Sequence, residues 1–136
     1  TVTIDGTHRF ASLTLRNGAM VTHSAASGTS ASNLSLTVDG TVSIDATSKI
    51  DVMGRGFLGG SKPGNLFGTA GMTVAFQRGS TGRSGGSYGG VGGAADGAAN
   101  AVYGDFKDPD EVGSGAAGDA AGGVNGEGIR TEIKFK

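Results

Sequence analysis

The sequence predicts an all-β protein: a right-handed β-helix or solenoid-like scaffold that carries one long glycine-rich excursion. Residues 1–53 alternate apolar and polar side chains with period two, the spacing of half-buried strands. Twenty-four of the 28 glycines fall between Gly54 and Gly128, and glycine costs a helix about 1 kcal/mol per position. Alternation then returns over the last residues, up to Phe135. The expected organisation is a single domain over 1–136, with strand rungs over 1–53, the excursion over 54–128 and a return strand over 129–136. A β-sandwich with glycine-rich loops is the alternative.

Each strand has its own apolar face. Val2 and Ile4 share one, as do Leu13 and Leu15, Met20 and Thr22, Leu34, Leu36 and Val38, Val42 and Ile44, and Ile50 and Val52. Asp5-Gly6, Asn17-Gly18 and Asp39-Gly40 separate them, and such dipeptides are turn formers. Taken alone, this spacing fits hairpins with two-residue turns. A second pattern favours stacked rungs. Ser12-Leu13-Thr14-Leu15 reappears as Ser35-Leu36-Thr37-Val38, and Met20 and Thr22 match Val42 and Ile44. A unit of about 22 residues is within the range of one solenoid rung. Met72-Thr73-Val74-Ala75-Phe76 reads as a further short strand. In the tail, Ile129, Ile133 and Phe135 share a face opposite Arg130, Glu132 and Lys134.

Composition excludes several classes. Eleven basic and 12 acidic residues leave a formal net charge of −1, without the basic footprint of nucleic-acid binding or a polybasic membrane patch. With no cysteine, there is neither a disulfide framework nor a thiolate metal site. No apolar run in these residues is long enough to span a bilayer, and no signal-peptide pattern is read among them. The chain starts and stops inside strand patterns, and is expected to be part of a longer protein.

The glycine-rich stretch has the composition of a linker, but Phe57, Phe67, Tyr88, Tyr103 and Phe106 recur through it. These aromatics are expected to anchor an ordered fold. Two packings fit: extended polyglycine-type helices lying side by side over runs such as Gly85 to Gly93, or a compact loop held by Tyr88, Tyr103 and Phe106. Either must offset the large entropy that glycine loses on folding, and dense backbone hydrogen bonding is the available means.

The chemical motifs are sparse. Gly54-Arg55-Gly56-Phe57-Leu58-Gly59 spells GxGxxG after a strand pattern. However, Gly60, Pro63, Gly64 and Gly68 deny it the helix a dinucleotide site needs, and no acid follows before Asp96. Asp105, Asp108, Asp110 and Glu111 form the densest acidic cluster. Oxygen ligands at this spacing suit Ca²⁺, although the offsets are not those of an EF-hand; a solvated acidic turn is the plainer reading. No other cofactor is expected. His8 and His23 read as surface residues on strand edges, and no serine is tied to a histidine and a carboxylate. Asp5, Asp39, Asp45 and Asp51 sit at turns or outward positions, where they serve solubility.

Several blocks taken together resemble a known kind of segment. They are Ser48 to Gly60, Gly85-Gly86-Ser87-Tyr88-Gly89-Gly90-Val91-Gly92-Gly93, Tyr103-Gly104-Asp105, Gly113-Ser114-Gly115 and Gly128-Ile129-Arg130. Their order is similar to that of the glycine-rich β-helical repeats of large secreted or cell-surface, adhesin-like bacterial proteins, and to segments of some protist surface proteins. The resemblance spans residues 34–135 and is most specific at Gly85–Gly93. It implies an extracellular or cell-surface, repetitive, β-solenoid context without assigned catalytic residues. This chain departs from it at Ala116-Ala117-Gly118-Asp119-Ala120-Ala121, where such segments continue in glycine.

The expected function is that of a non-enzymatic structural module of a large extracellular protein or fibre. It would associate through stacked strands with neighbouring repeats or copies of itself, and with neither nucleic acid nor the membrane interior. The alternative is an adhesin module binding glycan through Phe57, Phe67, Tyr88, Tyr103 and Phe106. A third is a fragment of a polysaccharide-active β-helix enzyme, whose chemistry would require clustered carboxylates.

Overall fold

The computed structural model describes residues 1–119, Gly123 and the backbone of Thr131–Phe135. Within these residues the protein is all-β. Its ten short strands are β1 (Val2–Thr3), β2 (Gly6–Phe10), β3 (Leu13–Leu15), β4 (Met20–Thr22), β5 (Leu34–Val38), β6 (Val42–Ile44), β7 (Lys49–Ile50), β8 (Met72–Thr73), β9 (Gln77–Arg78) and β10 (Thr131–Phe135). A single 3-10 turn, Val74–Phe76, is the one helical element described.

The strands form small sheets. The first has the order β1-β4-β7, the second β2-β5-β10 and the third β3-β6, and every pairing in these three is parallel. The chain thus passes through the three sheets as β1-β2-β3 and again as β4-β5-β6, then contributes β7 and finally β10. The turn dipeptides do not make hairpins, because a corner that carries the chain to the next sheet uses the same backbone reversal. The antiparallel pair described is β8 with β9, in which Met72 faces Arg78.

The register corrects the repeat read from the sequence. Val2 lies opposite Val21, an offset of 19, whereas Gly6 lies opposite Leu34, Leu13 opposite Val42 and Met20 opposite Lys49, offsets of 28 or 29, so no constant repeat of about 22 residues sets the passes. Ser12–Leu15 and Ser35–Val38 are alike because both alternate, yet they belong to different sheets. Connection length sets the register instead. Two residues, Ile4 and Asp5, join the first sheet to the second in pass one; residues 23–33 do so in pass two, and residues 51–130 in pass three.

The return strand is Thr131–Phe135, with Ile133 opposite Leu36 and Phe135 opposite Val38; Gly128, Ile129 and Arg130 lie outside the described residues. The strand expected over Met72–Phe76 ends at Thr73. Ala75 and Phe76 take left-handed φ of 57° and 55°, which turn the chain back into β9.

Leu15, Val21, Leu34 and Leu36 form the core of the sheets, with Ile4, Phe10, Leu13, Ala19, Ile50 and Val52 packed around them. Alternation is clearest in β5, where Leu34, Leu36 and Val38 are buried and Ser35 and Thr37 half-buried. A second cluster of Phe57, Leu58, Met72 and Val112 takes in Ala31, Phe67 and Phe76. Ala31 comes from the enlarged second-pass connection, which also bonds the glycine-rich block through Ala26 N–H to Arg55 O at 3.0 Å. The longer corner is therefore the seat of the block.

One corner is held by side chains of the next pass. Asn17 and Gly18 adopt left-handed φ of 60° and 72°, leaving their N–H groups turned out. Asn17 N–H donates to Asp45 Oδ2 (2.8 Å), Gly18 N–H to Thr47 Oγ1 (3.0 Å) and Ala19 N–H to Ser48 Oγ (3.0 Å). Thr47 in turn donates its hydroxyl and its N–H to Asp45 Oδ1. These bonds, the Thr47 hydroxyl first among them, lower the Asp45 carboxyl from 3.8 to about 2. A carboxylate whose folded pKa is depressed adds stability above its unfolded pKa and loses it as pH falls through the folded value. Wild-type stability should therefore fall between about pH 4 and pH 2, while Asp45→Asn starts lower and falls less over that window. Urea midpoints at several acid pH values check this; parallel slopes would refute it.

Candidate functional site: the glycine-rich block

The block is built around one extended segment, residues 113–118. Gly113 O and Ala116 O accept from Phe57 N–H (3.0 Å) and Gly60 N–H (2.9 Å). Gly115 N–H and Gly118 N–H donate to Met72 O (2.9 Å) and Thr69 O (3.0 Å). Ala117 N–H donates to Ser84 O (2.9 Å), and Ser114 O lies 2.5 Å from where a Gly86 Cβ would stand. Contacts to each neighbour thus recur every third residue, with a different neighbour on each of three faces. A β-ladder alternates every second residue; a period of three is that of an extended polyproline-II-type helix.

Close approach explains glycine here. A Cβ on Gly115 would collide with Leu58 O, one on Gly71 with Gly115 O, and one on Gly60 with Thr69 O. Ala116 and Ala117, which depart from the glycine pattern, fit the same segment, and Ala117 is buried. The run Gly85–Gly93 behaves differently. It folds back on itself, with Gly85 N–H bonded to Gly93 O (2.8 Å) and Tyr88 N–H to Gly90 O (3.1 Å). Ser87 pins this reversal, donating to Asn100 O (2.6 Å) and accepting from Gly92 N–H (3.0 Å). The run Gly85–Gly93, where polyglycine-type helices were expected, is thus a reversal instead, and the period of three lies at 113–118.

The anchors divide by role. Phe57 is buried edge-on against Phe76, with centroids 5.5 Å apart, and Phe67 packs half-buried on the same cluster. Tyr88 and Tyr103 meet edge to face at 5.2 Å. Tyr88 Oη donates to Glu111 Oε2 (3.1 Å) and accepts from Asp110 N–H (3.1 Å) and Glu111 N–H (3.4 Å), so it holds the acidic loop. Phe106 lies over the Gly89 backbone but is 71% exposed, with Lys107 Nζ 5.6 Å from its ring centre. It is a surface residue rather than a buried anchor.

A polar chain runs beneath the tyrosines. Asn100 Nδ2 donates to Thr73 Oγ1 (3.1 Å), Thr73 to Ser114 Oγ (2.7 Å), Ser114 to Tyr103 Oη (3.0 Å) and Tyr103 to Val112 O (2.5 Å). A carbonyl only accepts, so the direction of every hydroxyl proton is fixed from that end. Burial pushes the Tyr103 and Tyr88 hydroxyls above their ordinary value. Thr73, Ser87, Asn100 and Ser114 were not singled out in the sequence. Ser87 and Ser114 adjoin glycine, a pairing that recurs throughout the chain, and Thr73 and Asn100 carry no local signal.

The proposed calcium ligands do not converge. Asp105, Asp108 and Asp110 are exposed, with Asp105 Oδ1 accepting from Lys107 N–H (2.8 Å) in a local turn. Glu111 is bonded to Tyr88, and its hydrogen bond with Asp110 raises its pKa. Among the described residues, no three histidine or acidic side chains are grouped to hold a metal. The two histidines are not alike. His8 is exposed, whereas His23 is fully buried with Nδ1–H donating to Ser24 O at 2.8 Å, which corrects its reading as a surface residue. Asp5, read as a solubility residue, ties two passes together by accepting from Ser24 N–H and Oγ–H, each at 2.7 Å.

Set against known proteins, the chain matches no protein-family model, no curated protein and no solved structure. No helix among the described residues is long and apolar enough to cross a membrane.

Proposed function

We propose that this chain is a non-catalytic structural module of a large extracellular or cell-surface protein or fibre, acting by β-strand stacking on neighbouring repeats or on copies of itself. Its scaffold is read as a β-helix in which β1–β3, β4–β6, and β7 with β10 are successive coils. One observation carries this reading: three parallel ladders add their strands in the same coil order. A sandwich of hairpins would need antiparallel ladders. The right-handed sense is the one that parallel crossovers almost always adopt. Stacked coils leave open strand edges at their ends, and open edges pair with other chains.

Glycan binding through the five aromatics has less support, because Phe57, Tyr88 and Tyr103 spend their rings on one another or on Phe76. An enzymatic role has less still: the buried hydroxyl chain ends on a backbone carbonyl, which cannot take a proton as a base would. Light scattering over a concentration series tests the structural reading. The mass should grow with concentration, and a folded chain that stays monomeric throughout would overturn self-association.

A further inference from the structure

Asn17-Gly18 is a chemically reactive pair at an exposed corner. In such a pair the backbone nitrogen of the second residue can attack the side-chain amide of the first. Glycine hinders that attack least, because it has no Cβ. The reaction is a deamidation. Hydroxide removes the Gly18 N–H proton, the nitrogen bonds to Asn17 Cγ, the Cγ–Nδ2 bond breaks, and ammonia leaves with a proton from water. Water then opens the cyclic succinimide at either carbonyl, leaving aspartate or isoaspartate at position 17.

The corner opposes the first step with hydrogen bonds alone. Asn17, Gly18, Asp45 and Thr47 are all exposed, so burial does not keep hydroxide away. The Gly18 N–H, whose proton must leave, donates to Thr47 Oγ1 at 3.0 Å. Thr47 is itself held, because its hydroxyl and its N–H both donate to Asp45 Oδ1, at 2.8 and 2.9 Å. Asp45 Oδ2 accepts from Asn17 N–H, and Ser48 Oγ accepts from Ala19 N–H. Three consecutive amides are thus clamped by side chains of the following pass, with the reactive one in the middle.

We infer that Asn17 is a deamidation site latched by Thr47, which keeps the pair intact while the two passes stay together. The inference needs only this corner and stands apart from the reading of the chain as a structural module. Opening the latch has a lasting consequence. Aspartate at position 17 would bring a second carboxylate beside Asp45, and like charges repel. Isoaspartate would add a methylene to the main chain between β3 and β4, so the three amides would no longer meet Asp45, Thr47 and Ser48 together. A passing separation of two passes is thereby recorded as a covalent change.

Incubation at mildly alkaline pH, folded and in urea, tests the latch. Peptic peptides separate position 17 from the other such pair, Asn125-Gly126, and mass spectrometry reads the conversion of amide to acid. Position 17 should convert about tenfold more slowly in the folded chain than in urea, or slower still. Thr47→Val keeps the side-chain shape but loses the hydroxyl. It should speed conversion in the folded chain about fivefold, the weight of one hydrogen bond, with an unchanged circular dichroism spectrum. Ser48→Ala, which removes a bond to Ala19 N–H instead, should leave the rate near that of wild type. Equal rates in folded and unfolded wild type, no acceleration by Thr47→Val, or equal acceleration by both variants would overturn the latch.

Discussion

Replacing Gly115 by alanine is expected to unfold the glycine-rich block. The added Cβ would collide with Leu58 O and stand 2.7 Å from Gly59 N. Both are backbone atoms, and Leu58 O is already fixed by Met72 N–H at 2.9 Å, so neither can swing aside as a flexible side chain would. Relief requires the 57–60 segment to move away from 113–118, which breaks the Phe57–Gly113 and Gly60–Ala116 bonds together. Overpacking a tight interior costs about 1–3 kcal/mol and sometimes more. Because two bonded backbones must part here, we expect about 3 kcal/mol or more. Urea unfolding followed by the near-ultraviolet signal of Tyr88 and Tyr103 measures it. Gly90→Ala is the control, since nothing lies within 4 Å of its Cβ position. Equal midpoints for the two variants would refute the threefold packing.

Leu36→Ala is the second large effect, and it strikes the sheets instead. Leu36 is 1% exposed and belongs to the main core with Leu15, Val21 and Leu34. In register it lies between His8 and Ile133, at the centre of the one five-residue strand flanked on both sides. Truncating a buried leucine costs about 2–5 kcal/mol, the upper end applying where surroundings cannot collapse into the cavity. Neighbours on a paired strand are held by their ladders, so the upper half of that range is expected. Ile44→Ala, at an exposed edge, should cost well under half as much. Similar losses for both would mean that the ladders do not define the core.

The strands were legible in the sequence because alternation is local: Leu34, Leu36 and Val38 announce their buried face by spacing alone. Their partners were not. Ser35–Val38 looks like Ser12–Leu15 but lies beside Gly6–Phe10, and only the 11-residue connection after Thr22 decides that. His23, the first residue of that connection, is fully buried, a fate no neighbouring residue signals. Asp45 read as a turn or outward residue, yet the groups that it and Thr47 cap lie 28 and 29 positions earlier. In the glycine-rich block Phe57, Phe67, Tyr88 and Tyr103 pack against neighbouring side chains, whereas Phe106 is exposed. The three-faced segment at 113–118 was hidden because glycine and alanine carry almost no pattern. What matters there is which position meets a carbonyl, and that is set by chain brought in from three places.

The joint between the first and second sheets spans two, 11 and 80 residues in successive passes. For a flexible loop, closure entropy grows only with the logarithm of length. Lengthening such a joint from 11 to 80 residues therefore costs about 2 kcal/mol, less than one buried leucine contributes. An inserted unit that packs on itself, as this glycine-rich block does, offsets that cost internally. The scaffold thus has a docking port in the evolutionary sense: whole folded units can enter or leave the chain at one corner while the ladders on either side keep their register.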